Sequence, residues 1–107
     1  MSDRISTLLR FIEEDPADPF PRYALALEWK SAGDYERAYK DLLRIIENQP
    51  DYLPVYYQAG QLAELLNNLP AAVLHYKSGI DLAIKQKANH PLGELRTALS
   101  LISDEEE

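Results

Sequence analysis

The chain has 107 residues, of which 46% are hydrophobic, and it contains 11 Lys and Arg, 18 Asp and Glu, and no cysteine. This length and composition fit one folded domain. The net charge of −7 argues against nucleic acid and anionic membranes, which need clustered basic side chains. The lack of cysteine excludes disulfides, thiol catalysis and thiolate metal sites. Because the chain shows neither a secretory signal at Met1 nor an apolar run of bilayer length, we expect a cytoplasmic protein.

The first predicted helix covers residues 3–14 and carries one apolar stripe, formed by Ile5, Leu8, Leu9 and Ile12. A second helix is predicted from residue 18 to 32, because Asp18 can cap its first turn and Pro19 suits its first position.

Gly33 and Asp34 mark the next boundary, since Gly tolerates a left-handed C-cap and Asp is a good N-cap. A third helix follows over 35–48. The pattern then recurs, with a helix near 52–66, a turn at Asn67-Asn68 and a helix from 70 to 86.

The last predicted helix, 91–103, has a stripe of Leu92, Leu95, Leu99 and Ile102, with Asn89 or His90 expected as its cap. We expect this helix to close the end of the fold rather than to fold back onto its binding face, because an uncapped terminal unit would expose its core.

The chain repeats itself at an offset of 34 residues. Residues 8–13 read Leu-Leu-Arg-Phe-Ile-Glu, and residues 42–47 read Leu-Leu-Arg-Ile-Ile-Glu. Further matches at the same offset pair Pro16 with Pro50, Tyr23 with Tyr57, Ala38 with Ala72 and Ile46 with Ile80. A two-helix unit that recurs in this way predicts stacked helix pairs.

This period and spacing resemble the tetratricopeptide repeat, whose pattern is W-x2-L-G-x2-Y, then A-x3-F, then P. The first copy reads Arg22-x2-Leu25-Ala26-x2-Trp29, then Ala38-x3-Leu42, then Pro50. The second copy reads Tyr56-x2-Ala59-Gly60-x2-Ala63, then Ala72-x3-Tyr76, with Ile84 where the proline would stand. The missing proline predicts that this helix continues to about Lys87.

The resemblance implies an all-α fold of about six helices, in which antiparallel helix pairs stack as a short right-handed α-solenoid. We expect a single domain over 1–103. Its predicted parts are an N-terminal half-repeat helix at 3–15, repeat 1 at 18–50, repeat 2 at 52–87 and a C-terminal capping helix at 90–103, followed by an acidic tail at 104–107.

In this family the first helices of the pairs line a concave groove that holds a peptide or helix of a partner protein. The resemblance therefore implies a non-catalytic adaptor. Carried over position by position, the expected groove residues are Phe20, Tyr23, Leu27, Lys30, Pro54, Tyr57, Gln61 and Glu64. Aromatic residues of this kind are frequent at binding hot spots.

The best-known groove of the family grips a C-terminal carboxylate with Lys, Asn and Arg, whereas Tyr23, Leu27 and Tyr57 hold those places here. We therefore expect an apolar or proline-containing segment, or an amphipathic helix, as the partner.

The alternative is a self-associating structural unit, a homodimer that buries its groove or its open repeat ends. An enzyme is disfavoured, because no nucleophile, phosphate or dinucleotide motif is present. His75 and His90 lack the convergent ligands of a metal site, so we expect no metal and no cofactor.

Overall fold

The computed structural model describes residues 3–103, and within this range it contains six α-helices and no strand. The predicted all-α class with six helices is therefore confirmed, while the acidic tail at 104–107 lies outside the described residues. The helices are α1 (Asp3–Glu14), α2 (Pro19–Ser31), α3 (Tyr35–Asn48), α4 (Pro54–Leu65), α5 (Leu69–Gln86) and α6 (Asn89–Ile102). They form two compact units, with α1 to α3 in unit 1 and α4 to α6 in unit 2.

Side chains at the predicted positions cap two of the helices. The Asp18 carboxylate accepts a hydrogen bond from the Phe20 amide at 3.0 Å, and Pro19 is the first residue of α2. The Asp34 carboxylate accepts from the Arg37 amide at 3.2 Å and begins α3. Each cap satisfies an amide that has no partner within its own helix.

A residue with a left-handed backbone conformation follows each of α2, α4 and α5. These residues are Gly33 (φ 83°), Asn67 (φ 62°) and Lys87 (φ 58°). The first of these was predicted from the glycine. The last ends α5, because Lys87 donates its amide to the carbonyls of the final turn. Since no proline interrupts it at Ile84, α5 continues to Gln86.

The predicted cap of the last helix is wrong. Helix α6 already begins at Asn89, so neither Asn89 nor His90 can stand before it, and Ala88 occupies the N-cap without a side-chain hydrogen bond. The proline at position 91 lies inside the first turn, where its missing amide has no helical partner to lose.

In unit 1, α1 packs against α2, and α2 packs against α3. Leu8, Ala24 and Leu25 form the buried centre of this packing, and Ile5, Ile12 and Trp29 lie against it. The Arg37 guanidinium covers the outer face of the Trp29 ring, 4.4 Å from its centroid.

A partly buried ion pair also joins α2 to α3, because Arg22 Nη1 lies 3.8 Å from Asp41 Oδ1. Burial raises the pKa of the Asp41 carboxyl, and the Arg22 guanidinium and a hydrogen bond from Trp29 partly oppose that change.

In unit 2, α5 lies between α4 and α6, and glycines allow the close approach on both sides. Gly60 of α4 faces the ring of Tyr76, which is fully buried. Gly79 of α5 is touched by Tyr56 of α4 and Leu95 of α6. Tyr56 precedes Gly60 in α4, whereas its contact Gly79 follows Tyr76 in α5. The two helices are therefore antiparallel.

Within the described chain, no helix combines the length and apolar character needed to cross a lipid bilayer.

Replacing Gly60 by Ala will destabilise the protein, because the new Cβ would clash with the ring of Tyr76. Overpacking of this kind costs about 1–3 kcal/mol, more than alanine's gain in helix propensity returns. Gly93→Ala is the matched control, since nothing lies within 4 Å of its added Cβ. We expect urea denaturation to show a lower free energy of unfolding for Gly60→Ala and an increase of about 0.5–1 kcal/mol for Gly93→Ala. Equal stabilities for the two variants would contradict the close contact.

Candidate functional site

The four predicted binding positions of α2 recur at helical spacing, at Phe20, Tyr23, Leu27 and Lys30. Phe20 is largely exposed, and the other three are half-buried.

The neighbours of these residues differ along the helix. The Tyr23 ring meets Tyr52 edge-to-face, with centroids 5.7 Å apart and an angle of 73° between the rings. Phe20 instead lines a cleft beside α1. The aromatic pair holds Tyr23 in place, because edge-to-face contacts add to the gain from burial alone.

Of the four predicted binding positions of α4, three line one cleft and the fourth does not. Tyr57, Gln61 and Glu64 line a cleft of about 550 Å³ between α4 and α6, which we call the α4/α6 cleft. Pro54 is exposed at the first position of α4 and lies outside this lining.

The opposite wall of the α4/α6 cleft comes from α6, which packs chiefly against α5 through the buried Leu95. Because its buried side packs on α5, α6 forms a wall of the cleft and does not fill it. The wall residues are Asn89, His90, Gly93, Glu94, Thr97, Ala98 and Leu101. These residues were not predicted, because the leucine stripe of α6 indicates only the face of the helix that is buried. Their own spacing of three and four residues on another face of the helix was an available signal.

The hydroxyl of the buried Tyr76 makes hydrogen bonds to two side chains of α4. The Tyr76 hydroxyl donates to Oε2 of Glu64 at 2.5 Å and accepts from Nε2 of Gln61 at 3.0 Å. The Tyr57 ring lies 6.3 Å from the Tyr76 ring, centroid to centroid. The α4 wall is therefore held in one arrangement by the core beneath it.

The charges of the α4/α6 cleft are mostly negative. Its lining carries the carboxylates of Glu64 and Glu94, and it includes no Lys or Arg. Nε2 of His90 lies 3.4 Å from Oε2 of Glu94, and both side chains are well exposed. Leu101, 79% exposed, is an apolar contact point at one end. Such a lining suits cationic and apolar groups and would repel a carboxylate.

No cluster of three or more His, Asp or Glu residues able to hold a metal ion occurs among residues 3–103. Burial lowers the pKa of His75, which favours its neutral form.

Replacing Tyr76 by Phe will make the protein less sensitive to alkali. Burial and the hydrogen bond to Glu64 raise the pKa of Tyr76 above its ordinary value of 10.0. Above that value the unfolded chain loses the phenolic proton while the folded chain keeps it, so the free energy of unfolding falls as the pH rises. We expect this fall to be shallower in Tyr76→Phe, by thermal or urea denaturation between about pH 9 and pH 11.

Tyr39 and Tyr52, whose pKa values are also raised by burial, will leave part of the slope in place. Near pH 7 the same variant should lose about 1 kcal/mol, since its hydrogen bonds to Glu64 and Gln61 are gone. Identical alkaline slopes in the two proteins would contradict the role given to the Tyr76 hydroxyl.

No protein-family model matches the chain, and no curated protein matches it. Solved structures similar to it include the following two. One is a crystal structure of a tetratricopeptide repeat domain protein from Salinibacter ruber, with 35% identity and a TM-score of 0.76 over 79% of this chain and 94% of that chain. The other is a solution NMR structure of a tetratricopeptide repeat domain protein from Salinibacter ruber, with 35% identity and a TM-score of 0.79 over 87% of this chain and 94% of that chain.

The structural match agrees with the repeat period, the helix pairs and the small residues between them. The chain belongs to the tetratricopeptide repeat family.

Proposed function

We propose that this protein is an adaptor whose α4/α6 cleft binds a segment of a partner protein that carries an apolar anchor beside Lys or Arg. Tetratricopeptide repeat domains are in general non-catalytic protein-interaction modules. The observation that carries the finer proposal is the acidic lining of a cleft whose α4 wall is anchored to the core through Tyr76.

The rigidity of the α4 wall supports this proposal. Gln61 and Glu64 keep their positions through the Tyr76 hydroxyl, so a partner does not have to order them on binding. A surface that is already ordered loses less conformational entropy when a complex forms.

The chemistry of the partner follows from the lining. Tyr57 and Leu101 offer apolar contact, while Glu94 offers an exposed carboxylate to a basic side chain. The exposed ring of Phe20 and the half-buried Tyr23, Leu27 and Lys30 on α2 are proposed as contact positions of unit 1, apart from the α4/α6 cleft.

Changing the cleft will remove the bound partner. We expect Glu94→Lys to abolish capture of the partner from cell extract, because it reverses the charge of an exposed lining residue without touching the core. Tyr57→Ala should weaken capture by about tenfold, because it removes an aromatic ring of the kind that dominates binding energy at interfaces. The control is Leu74→Ala, which removes a largely exposed side chain of α5 outside the cleft.

All variants must first show helical circular dichroism and a melting transition like that of the unchanged protein. Partners that bind all three variants equally would contradict the proposal for the cleft.

The alternative function, a self-associating structural unit, makes a separate prediction. Light scattering at low micromolar concentration should give the mass of one chain if the cleft serves a partner. A stable mass of two chains that Glu94→Lys returns to one would favour the homodimer instead.

A further inference from the structure

A second cleft, in unit 1, lies between α1 and the start of α2, and it belongs to different helices from the α4/α6 cleft. Its volume is about 680 Å³, and its apolar floor consists of Leu8, Phe11, Phe20 and Pro21. Phe11 is 43% exposed and Phe20 is 58% exposed, although both lie beside the buried Leu8. We call it the α1/α2 cleft.

The repeat register shows what this cleft corresponds to elsewhere in the protein. At the 34-residue offset, applied twice, Leu8 corresponds to Tyr76 and Phe11 to Gly79. Helix α1 is therefore the counterpart of α5, and α2 packs on α1 as α6 packs on α5.

Helix α5 has a neighbour on its other side as well, which α1 lacks within the described residues of unit 1. Tyr76 lies against Gly60 of α4, and Gly79 is touched by Tyr56 of the same helix. The residues of α1 at these two positions form the floor of the α1/α2 cleft. The α1/α2 cleft therefore corresponds to the surface of α5 that α4 covers. This correspondence indicates that the shape of the cleft suits a helix.

The charges around the α1/α2 cleft indicate the kind of helix. The lining carries four carboxylates and one guanidinium, from Asp3, Glu14, Asp15, Asp18 and Arg4. Nε of Arg4 is 2.6 Å from Oε2 of Glu28, so its charge is already balanced. Arg10 lies over the Phe11 ring at 5.6 Å, and its Nε is 3.8 Å from Oε2 of Glu14. Acidic charge therefore prevails at the C-terminal end of α1.

The direction of a docked helix follows from α4 and α5, which are antiparallel. A helix placed on α1 in the same way would bring its N-terminus to Glu14 and Asp15. The N-terminal end of a helix carries partial positive charge, so this orientation is electrostatically favourable. The last turn of α1 contains no basic residue. Arg10, one turn earlier, pairs with Glu14 between exposed side chains, so Asp15 and Asp18 supply the rest of the negative charge at this end.

We propose that the α1/α2 cleft docks an amphipathic α-helix of a partner protein, antiparallel to α1, with Lys or Arg in the first turn of that helix. A second copy of this chain is a poorer occupant, because each copy carries a net charge of −7 and the same acidic rim. The proposal concerns a different surface from the α4/α6 cleft and does not depend on the function assigned there.

The floor of the cleft also constrains the apolar face of the helix. Phe11 stands where α5 has Gly79, so the docked helix needs a small residue at the position of Tyr56. Leu8 stands where α5 has the larger Tyr76, so the residue at the position of Gly60 can be larger than glycine. The docked helix therefore needs a small residue where α4 has tyrosine, and it can carry a larger residue where α4 has glycine.

A synthetic peptide tests these features with the full chain. The probe is a stapled helix with alanine, leucine and alanine at the positions of Tyr56, Gly60 and Ala63, glutamine elsewhere and two lysines in the first turn. The matched control peptide has the same composition and staple but carries both lysines in the last turn. In fluorescence anisotropy we expect the probe to bind saturably and about threefold to tenfold more tightly than the control. This difference should shrink as salt is raised.

Variants of α1 separate the cleft from the rest of the helix. Phe11→Ala should weaken binding of the probe by at least about tenfold. Leu9→Ala, which removes an exposed side chain of α1 outside the cleft, should change it by less than about twofold. Amide chemical shifts of labelled protein should move at Thr7, Phe11 and Phe20 when the probe is added.

The proposal would be overturned by no saturable binding of the probe, by equal effects of Phe11→Ala and Leu9→Ala, or by shift changes confined to the α4/α6 cleft. Concentration-dependent shifts of the same α1 residues without peptide would also overturn it, since they would place a second copy in the cleft. Loss of capture by Glu94→Lys is independent of these results, so failure of either proposal can be recognised by itself.

Discussion

The contact between the Tyr76 ring and Gly60 is the constraint on which unit 2 depends. A full aromatic ring is buried between two helices because the facing residue has no side chain. The same device recurs one turn further along α5, where Gly79 admits Tyr56 and Leu95. With Gly60 of α4 and Gly79 of α5 at these two points, α5 can pack closely against α4 on one side and α6 on the other. Close packing of this kind tolerates little added volume.

Core and surface are connected through the same tyrosine. Its ring fills the helix interface, and its hydroxyl reaches the side chains of Gln61 and Glu64 at the edge of the α4/α6 cleft. The polar group of a buried tyrosine needs partners, and here the candidate binding wall supplies them. The position of these two candidate binding residues is therefore a consequence of how the core is packed.

The two units use related helix pairs for different surfaces. In unit 2 the packed position on α5 is filled by α4, and the remaining opening lies between α4 and α6. Among the described residues of unit 1, the equivalent position on α1 is a cleft with Phe11 and Leu8 in its floor. Both openings combine apolar contact with more acidic than basic side chains, in keeping with the net charge of −7.

The sequence by itself determined the number of helices, the repeat and the caps at Asp18 and Asp34, because caps and periodicity depend on residues near one another in the chain. It also placed Tyr57, Gln61 and Glu64 on one face of a helix. Only the tertiary structure decided that α6 provides the opposite wall and that Tyr76 anchors the first. A leucine stripe shows that a face is buried, but what the other faces meet depends on packing between residues distant in sequence.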